Sequence, residues 1–412
     1  MKRCFSWGWT LVWVVLWCHD LGAQGFALYN TGANIDGDFQ GQGGVCLMGG
    51  ASENDDAMAW FLERTGGGDI VVLRASGSDG YNSYMYSQLG VDVHRVTTIV
   101  CQNANASSHP DVLALVNGAE GIWFAGGDQA DYHALWQGTP LNDAINEALT
   151  ERQAVVGGTS AGMAILGGLR FTAANGTVHS DEALDDPYNA YMALDNTPFI
   201  EVPVLANTFT DTHFDNPDRR GRLFTFMARA RADWGLDATA IACDEYTAVC
   251  IDNDGLARVY GEAPQYEDNA YIARVYCTLD DTSPEVCLPG QPLTWSQGEN
   301  ALRVWRALGN ATGSPEFRLY GNPMSSGGSA ERWWAENGTW YSEPTFTSDC
   351  PFNPPFPCIE DIDGDGVIAT SDVILMLAEF GCSSNCAFDL DGDGTVGVSD
   401  VLSVLSRFGE SC

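Results

Sequence analysis

Between residues 43 and 160 the chain alternates short apolar runs with segments whose apolar residues recur every three or four positions. The runs are Gly44-Val45-Cys46-Leu47-Met48, Asp69-Ile70-Val71-Val72-Leu73, Thr97-Thr98-Ile99-Val100, Gly121-Ile122-Trp123-Phe124 and Gln153-Ala154-Val155-Val156. Uninterrupted apolar runs of this length suit strands buried on both faces. The intervening stretches 55–62 (DDAMAWFL) and 141–149 (LNDAINEAL) carry apolar residues at helical spacing. Strand, helix, strand repeated in this way predicts an α/β fold with a mainly parallel sheet covered on both faces. In such sheets the chemistry collects at the carboxyl ends of the strands. Residues 277–348 are richer in turns and tryptophan and show no helical period, which predicts a β-rich extension of the same domain.

Beyond residue 348 the pattern changes. Residues 349–358 include CPFNPPFPC, whose prolines predict a semi-rigid linker. Residues 359–412 then contain a repeat: Asp361, Asp363 and Asp365 with Asp372, and Asp389, Asp391 and Asp393 with Asp400. In each copy carboxylates stand at loop positions 1, 3, 5 and 12 with glycine at position 6 (Gly366, Gly394). That is the oxygen-rich, tightly bent loop that a calcium ion requires. Each loop leads into an apolar helical segment, Val373–Leu377 and Val401–Leu405. The repeat resembles a dockerin, a paired calcium-loop module, and aspartate at position 12 matches dockerins better than sensor EF-hands. The resemblance implies structural Ca2+ and a cell-surface protein as the partner of a small α-helical module.

The first residues place Lys2 and Arg3 before an apolar run ending near Trp17, with small residues near Ala23. This predicts a secretory signal peptide over residues 1–23, and the run is too short for a comfortable membrane span. The mature protein is therefore expected to be secreted, with a main domain over 24–348. The formal net charge is -36, from 19 Lys+Arg against 55 Asp+Glu, and Lys2 is the only lysine. Such a chain has no basic patch for nucleic acid or an anionic membrane, and once the signal is removed it cannot build a serine-lysine dyad. The repulsion of an acidic surface is screened in salty water. Of 13 cysteines, Cys4 and Cys18 fall in the signal segment. Export permits disulfides, and the close pairs Cys277/Cys287, Cys350/Cys358 and Cys382/Cys386 are candidates. Cys46 and Cys101 lie in apolar strand-like runs and are expected as buried thiols. The cysteines lack the paired spacing of a zinc site.

The chemistry starts from Gly157-Gly158-Thr159-Ser160-Ala161-Gly162. A serine between glycines, with an apolar strand before it and a helix-like segment after it, fits a nucleophile held on a sharp bend. A plain Gly/Ser turn fits the same letters. Five histidines remain after the signal, at positions 94, 109, 133, 179 and 213. His213, in Thr208-Phe209-Thr210-Asp211-Thr212-His213-Phe214, follows an apolar run and is the favoured base. His179, close to Asp181 and Glu182, is its rival.

Four stretches, GGTSAG, AGGDQ (125–129), DTHF (211–214) and CDEYTA (243–248), together resemble the cyanophycinases of the S51 serine peptidases over residues 40–265. The resemblance implies a class I glutamine-amidotransferase-like fold and hydrolysis of β-aspartyl-arginine units from cyanophycin, a polyaspartate carrying arginine on each side chain. It implies no cofactor for catalysis. It makes Ser160 the nucleophile, His213 its base and Glu182 the third member, with Asp181 as the alternative. Backbone N–H groups of Gly127 and Ala161 become the oxyanion donors, Gln129 a substrate contact, and Arg219 and Arg222 carboxylate-binding arginines. One departure is Pro217, where many relatives carry a further arginine. That leaves an aspartyl dipeptidase of the peptidase E type as an alternative. A second alternative, of another class, is a catalytically inactive protein that binds surfaces in a calcium-dependent way.

Overall fold

The computed structural model describes residues 25–276, 279, 281–319 and 325–345, and further on residues 360, 362, 368–383, 386, 388, 390 and 395–408. The expected signal segment and linker lie outside the described residues, as do Asp361, Asp363, Asp365, Asp389, Asp391 and Asp393.

The strands in chain order are β1 (Phe26–Gly32), β2 (Val45–Met48), β3 (Asp69–Arg74), β4 (Arg95–Cys101), β5 (Gly121–Phe124), β6 (Val155–Thr159), β7 (Arg170–Phe171), β8 (Leu194–Asp195) and β9 (Thr208–Asp211). They continue with β10 (Thr239–Cys243), β11 (Ala248–Ile251), β12 (Leu256–Tyr260), β13 (Asn269–Val275), β14 (Leu302–Leu308), β15 (Glu316–Arg318), β16 (Ser325–Ser326), β17 (Gly328–Glu336) and β18 (Thr339–Pro344). Ten of them form one sheet in the order β1-β4-β3-β5-β6-β2-β11-β12-β15-β16. All five expected apolar runs are strands of this sheet, and they form its parallel centre, β4-β3-β5-β6-β2. The flanking pairings are antiparallel, so the sheet is mixed and the expectation of a mainly parallel one is corrected. The reason is connection length. A parallel return needs a crossover of a dozen or more residues, whereas only Asp252-Asn253-Asp254-Gly255 separates β11 from β12.

Side chains along the central strands divide by a period of two. Val45, Leu47, Val71, Leu73, Ile122 and Phe124 face one core, packed against helices α2 (Pro110–Asn117), α3 (Gln129–Trp136) and α4 (Pro140–Thr150). Cys46, Met48, Ile70, Val72 and Trp123 face the other, under α1 (Asp55–Glu63). Asn54 caps α1, accepting from the Ala57 N–H at 3.0 Å.

A second sheet of six strands runs β18-β17-β14-β13-β10-β9 and takes in much of the predicted β-rich stretch. Ile241, Cys243, Ala270, Ile272 and Trp305 of this sheet join the first core. Its other face, with Ala240, Ala242, Tyr271 and Val304, is covered by Leu223, Phe224 and Met227. Two short helices, α5 (Ala161–Ala164) and α6 (Ser180–Asp185), precede α7 (Arg220–Trp234), which carries those three residues. The strands β9 and β10 are parallel, and they bring their carboxyl ends beside those of β2, β5 and β6. A hydrogen bond from the Thr210 hydroxyl to the Met163 carbonyl (2.8 Å) fastens β9 to α5.

In the C-terminal segment, α8 (Thr370–Ala378) and α9 (Val398–Ser406) close on a small core of Ile368, Met376, Val396 and Val404. The bond between Cys382 and Cys386 is formed. Cys46 and Cys101 are buried thiols. Cys287 is also a buried free thiol, packed in the core beneath α7, and so does not make the bridge expected with Cys277. Cys277, Cys350 and Cys358 lie outside the described residues. No helix among the described residues is long and apolar enough to cross a membrane.

Candidate active site

At the end of β6 the chain turns into α5 through Ser160, which has φ 53° and ψ -120°. A non-glycine residue in such a region costs on the order of 1–3 kcal/mol and persists only where its surroundings enforce it. The glycines of GGTSAG supply that enforcement by allowing contacts that a side chain would block. A Cβ on Gly162 would lie 2.1 Å from the Phe124 carbonyl oxygen, and one on Gly158 2.5 Å from the Gly162 backbone. Strand and helix therefore approach each other directly. The Ser160 N–H is fixed on the Met48 carbonyl of β2 at 3.1 Å.

His213 follows β9 and is seated on the same β2 edge. Its N–H donates to the Gly49 carbonyl at 2.8 Å. Its ring lies over Gly50, where a Cβ would come within 2.5 Å of Cε1 and Nε2. Gly50 also has φ 114°, so glycine is required there twice over. In this seat His213 Nε2 lies 2.8 Å from Ser160 Oγ. On the other side of the ring, Nδ1 lies 2.6 Å from Glu245 Oε1. A carboxylate on Nδ1 keeps that nitrogen protonated and leaves Nε2 free to accept the serine proton.

Glu245 lies in the turn between β10 and β11, and the loop after His213 orients it. Its N–H donates to Asp215 Oδ1 at 2.9 Å, and Asn216 Nδ2 donates to its Oε2 at 3.3 Å. Partial burial pushes its carboxyl upward, but hydrogen bonds from His213 and Asn216, then the charges of His213 and Arg219, outweigh this and hold it below the ordinary glutamate range. The expected third acid is thereby corrected: it is neither Glu182 nor Asp181. Glu182 sits in the first turn of α6 and accepts the His179 N–H at 2.9 Å, satisfying the N–H of the residue that starts that helix, and Asp181 is exposed on the same turn. The signal for Glu245 was present in CDEYTA, an acid just past a buried apolar strand, as His213 is. The run SDEALD, by contrast, has acids where a helix start prefers them.

The other expected site residues divide. Gly126 and Gly127 follow β5, and Tyr132 fixes this turn by donating to the carbonyls of Ala125 (2.8 Å) and Gly126 (3.1 Å). The N–H groups of Gly127 and Ala161 have no backbone acceptor among the described residues, as oxyanion donors require. Gln129 starts α3, with Nε2 3.5 Å from the Phe171 carbonyl. Arg222 is not a substrate clamp. It is buried, makes a two-pronged pair with Asp211 through Nε (2.9 Å to Oδ2) and Nη2, and reaches Thr177 Oγ1 at 3.1 Å. Arg219 is the arginine left for a ligand. It is half-buried, donates to the Thr212 carbonyl at 2.9 Å, and forms no ion pair among the described residues. Burial, then the charge of Arg222, bring it down to about 10, so it remains a cation at neutral pH. His109 caps α2 through Nδ1, His133 packs on Phe199, and His94 pairs with Asp69.

Residues 49–259, from the glycine that accepts the His213 N–H into β12, match the model of peptidase family S51. The chain belongs to that family. The S51 region is similar to a cyanophycinase of Synechococcus elongatus, 25% identical over 228 residues, which covers 53% of this chain and 66% of that protein. The chain thus spans just under two thirds of that relative. It is 26% identical over 245 residues to a cyanophycinase of Geminocystis herdmanii (strain PCC 6308), covering 56% of this chain and 85% of the relative. Among solved structures it is similar to a peptidase from an acI-B1 actinobacterium, at a TM-score of 0.41 and 17% identity, covering 57% of this chain and 92% of that one.

This S51 geometry makes three predictions. Glu245→Gln leaves the ring seated but weakens the hold on its tautomer, and is expected to lower kcat about 10³- to 10⁴-fold. Glu182→Gln should leave kcat within a few-fold in the same peptidase assay. Arg222→Ala strands Asp211 and is expected to destabilise the fold by about 3–5 kcal/mol in denaturant unfolding, whereas Arg219→Ala should preserve stability and raise KM. The third concerns Asp244, beside Glu245. It is buried, and among the described residues its Oδ1 has no partner and its Oδ2 accepts only from Asn269. Burial raises its carboxyl to about 7, with Asp215 adding to the rise. The native state then keeps a proton that the unfolded chain loses near pH 4, so ionisation of Asp244 in the unfolded chain lowers the stability of the fold as pH climbs from about 4 to about 7. Asp244→Asn is expected to match wild type at pH 4 and exceed it above pH 7, by at most about 4 kcal/mol, as read by thermal unfolding across pH.

Proposed function

We propose that the protein is a secreted serine peptidase that releases β-aspartyl-arginine dipeptides from cyanophycin through an acyl-enzyme. The observation that carries this reading is the chain of contacts from Ser160 Oγ through the His213 imidazole to Glu245, set on a strained bend at a strand end. Ser160 Oγ attacks the amide carbon as His213 Nε2 takes its proton. The developing oxyanion is met by the N–H groups of Gly127 and Ala161. His213, now an imidazolium stabilised by Glu245, returns the proton to the leaving nitrogen, and water repeats the sequence on the ester.

The substrate class is supported by Arg219, a cation beside the triad that pairs with no carboxylate among the described residues, and by the relatives named cyanophycinase. A product or substrate carboxylate suits that guanidinium. The side chain of Gln129 is expected to contact the substrate on the β5 side. Pro217, within the loop that orients Glu245, offers no guanidinium, so a shorter aspartyl dipeptide remains the alternative substrate. The inactive surface-binding reading is disfavoured by the Ser160–His213 contact.

For the tail we propose two structural Ca2+ sites, built from Asp361, Asp363, Asp365 and Asp372 and from Asp389, Asp391, Asp393 and Asp400. What supports this is the shared geometry of the two position-12 residues. Asp372 accepts the N–H groups of Ile362 and Ala369 at 2.7 Å, and Asp400 those of Leu390 (2.7 Å) and Gly397 (2.6 Å). Each buried carboxylate thus folds back over its own loop, the placement a hard cation needs from its last ligand. Outside, α8 exposes Ile374 and Leu377, and α9 exposes Val398, Leu402 and Leu405. These apolar stripes suit a protein partner at a cell surface.

Ser160→Ala is expected to abolish dipeptide release from cyanophycin, identified by product mass, while leaving thermal unfolding nearly unchanged. Wild-type protein that cleaves only an α-aspartyl dipeptide would move the assignment to the alternative substrate. Chelation of calcium is expected to unfold residues 359–412 in hydrogen exchange without loss of peptidase activity, because carboxylates crowded in each loop repel one another without a cation.

A further inference from the structure

Two buried cysteines face each other across the strands that carry the triad's supports. Cys46 on β2 and Cys250 on β11 are directly opposed in the antiparallel register. Their Sγ atoms are 3.6 Å apart and both are fully buried. Each Sγ lies 3.9 Å from the same acceptor, the Ala57 carbonyl of α1. Two weak S–H donors therefore compete for one distant oxygen and for each other. Facing residues of antiparallel strands have Cα atoms about 4.5 or 5.5 Å apart, within the span of about 4.4–6.8 Å that a disulfide bridges. Closing the Sγ gap needs side-chain rotation and no movement of the strands. The two strands matter to the site. Two residues after Met48 the chain reaches Gly50 under the His213 ring, and β11 starts three residues after Glu245.

We propose that Cys46 and Cys250 are joined as a cross-strand disulfide in the exported protein, tying the seat of His213 to the strand that follows Glu245. Each thiol gives up its hydrogen and one S–S bond forms. The two electrons and two protons pass to a disulfide oxidant, either oxidised glutathione or an exported thiol–disulfide oxidoreductase, which leaves as two thiols. Full burial places this step before the α1 helix closes over the strand pair during folding. The bond rests on the export reading for its oxidant in the cell, but its formation can be examined without it.

The test is a mass map of the full chain refolded in a buffer of reduced and oxidised glutathione, then denatured and alkylated without reduction. Cleavage after arginine and glutamate separates Cys243 from Cys250, since Glu245 lies between them. The expected result is a linked peptide containing Cys46 and Cys250, two hydrogens lighter than the free pair, with Cys101 and Cys243 alkylated. In Cys250→Ser the same map should show Cys46 alkylated. Alkylation of both Cys46 and Cys250 in the wild-type chain overturns the proposal. So does a linkage from Cys46 to Cys243, whose Sγ lies 3.8 Å from the Leu47 carbonyl. The readout is a mass and does not depend on peptidase activity, so a failure of the functional reading leaves this result standing, and the reverse holds as well.

Discussion

The site depends on one imidazole held from three directions. His213 is bonded through its backbone to Gly49, rests its ring on Gly50, and reaches Ser160 and Glu245 through its two nitrogens. Each contact comes from a different part of the chain: the turn after β2, the elbow after β6 and the turn after β10. The glycines, the positive φ at Ser160 and the pairing of Asn216 and Asp215 with Glu245 follow from the need to bring these segments within hydrogen-bond reach of one ring. Local strain at Ser160 is tolerated because its N–H and the Met48 carbonyl make a bond that an ordinary helix entry would not offer.

Strands buried on both faces were legible because nothing but a continuous apolar run satisfies such a position. Val71 and Leu73 belong to one core, and Ile70 and Val72 to the other. The antiparallel flanks were less legible, since a four-residue connection such as 252–255 matters more than the composition of the strands it joins. Ser160 and His213 could be singled out from their local letters. Glu245 could not be separated from Glu182 in that way, because both are acids near a family-like motif and the distinction is spatial. One follows a buried strand that ends beside β2, and the other satisfies a helix start.

Arg222 shows the same limit for charged groups. In sequence, Arg219 and Arg222 are equivalent, three residues apart at the start of one helix. In space, Arg222 turns inward to Asp211 beside the stacked rings of Phe171 and Phe226, and Arg219 turns toward the triad. A buried arginine without its aspartate would be costly, so the pair holds the start of α7 against β9. It thereby supports the loop that carries His213 without touching a substrate.

Ser160 belongs to the ten-stranded sheet, whereas His213 and Glu245 follow strands of the six-stranded one. Their alignment is set by how the two sheets rest on each other, through Ile241, Cys243 and Ala270 on one side and Leu47 and Val249 on the other. A slip of about one ångström along that seam would part the serine from the imidazole with every strand still intact.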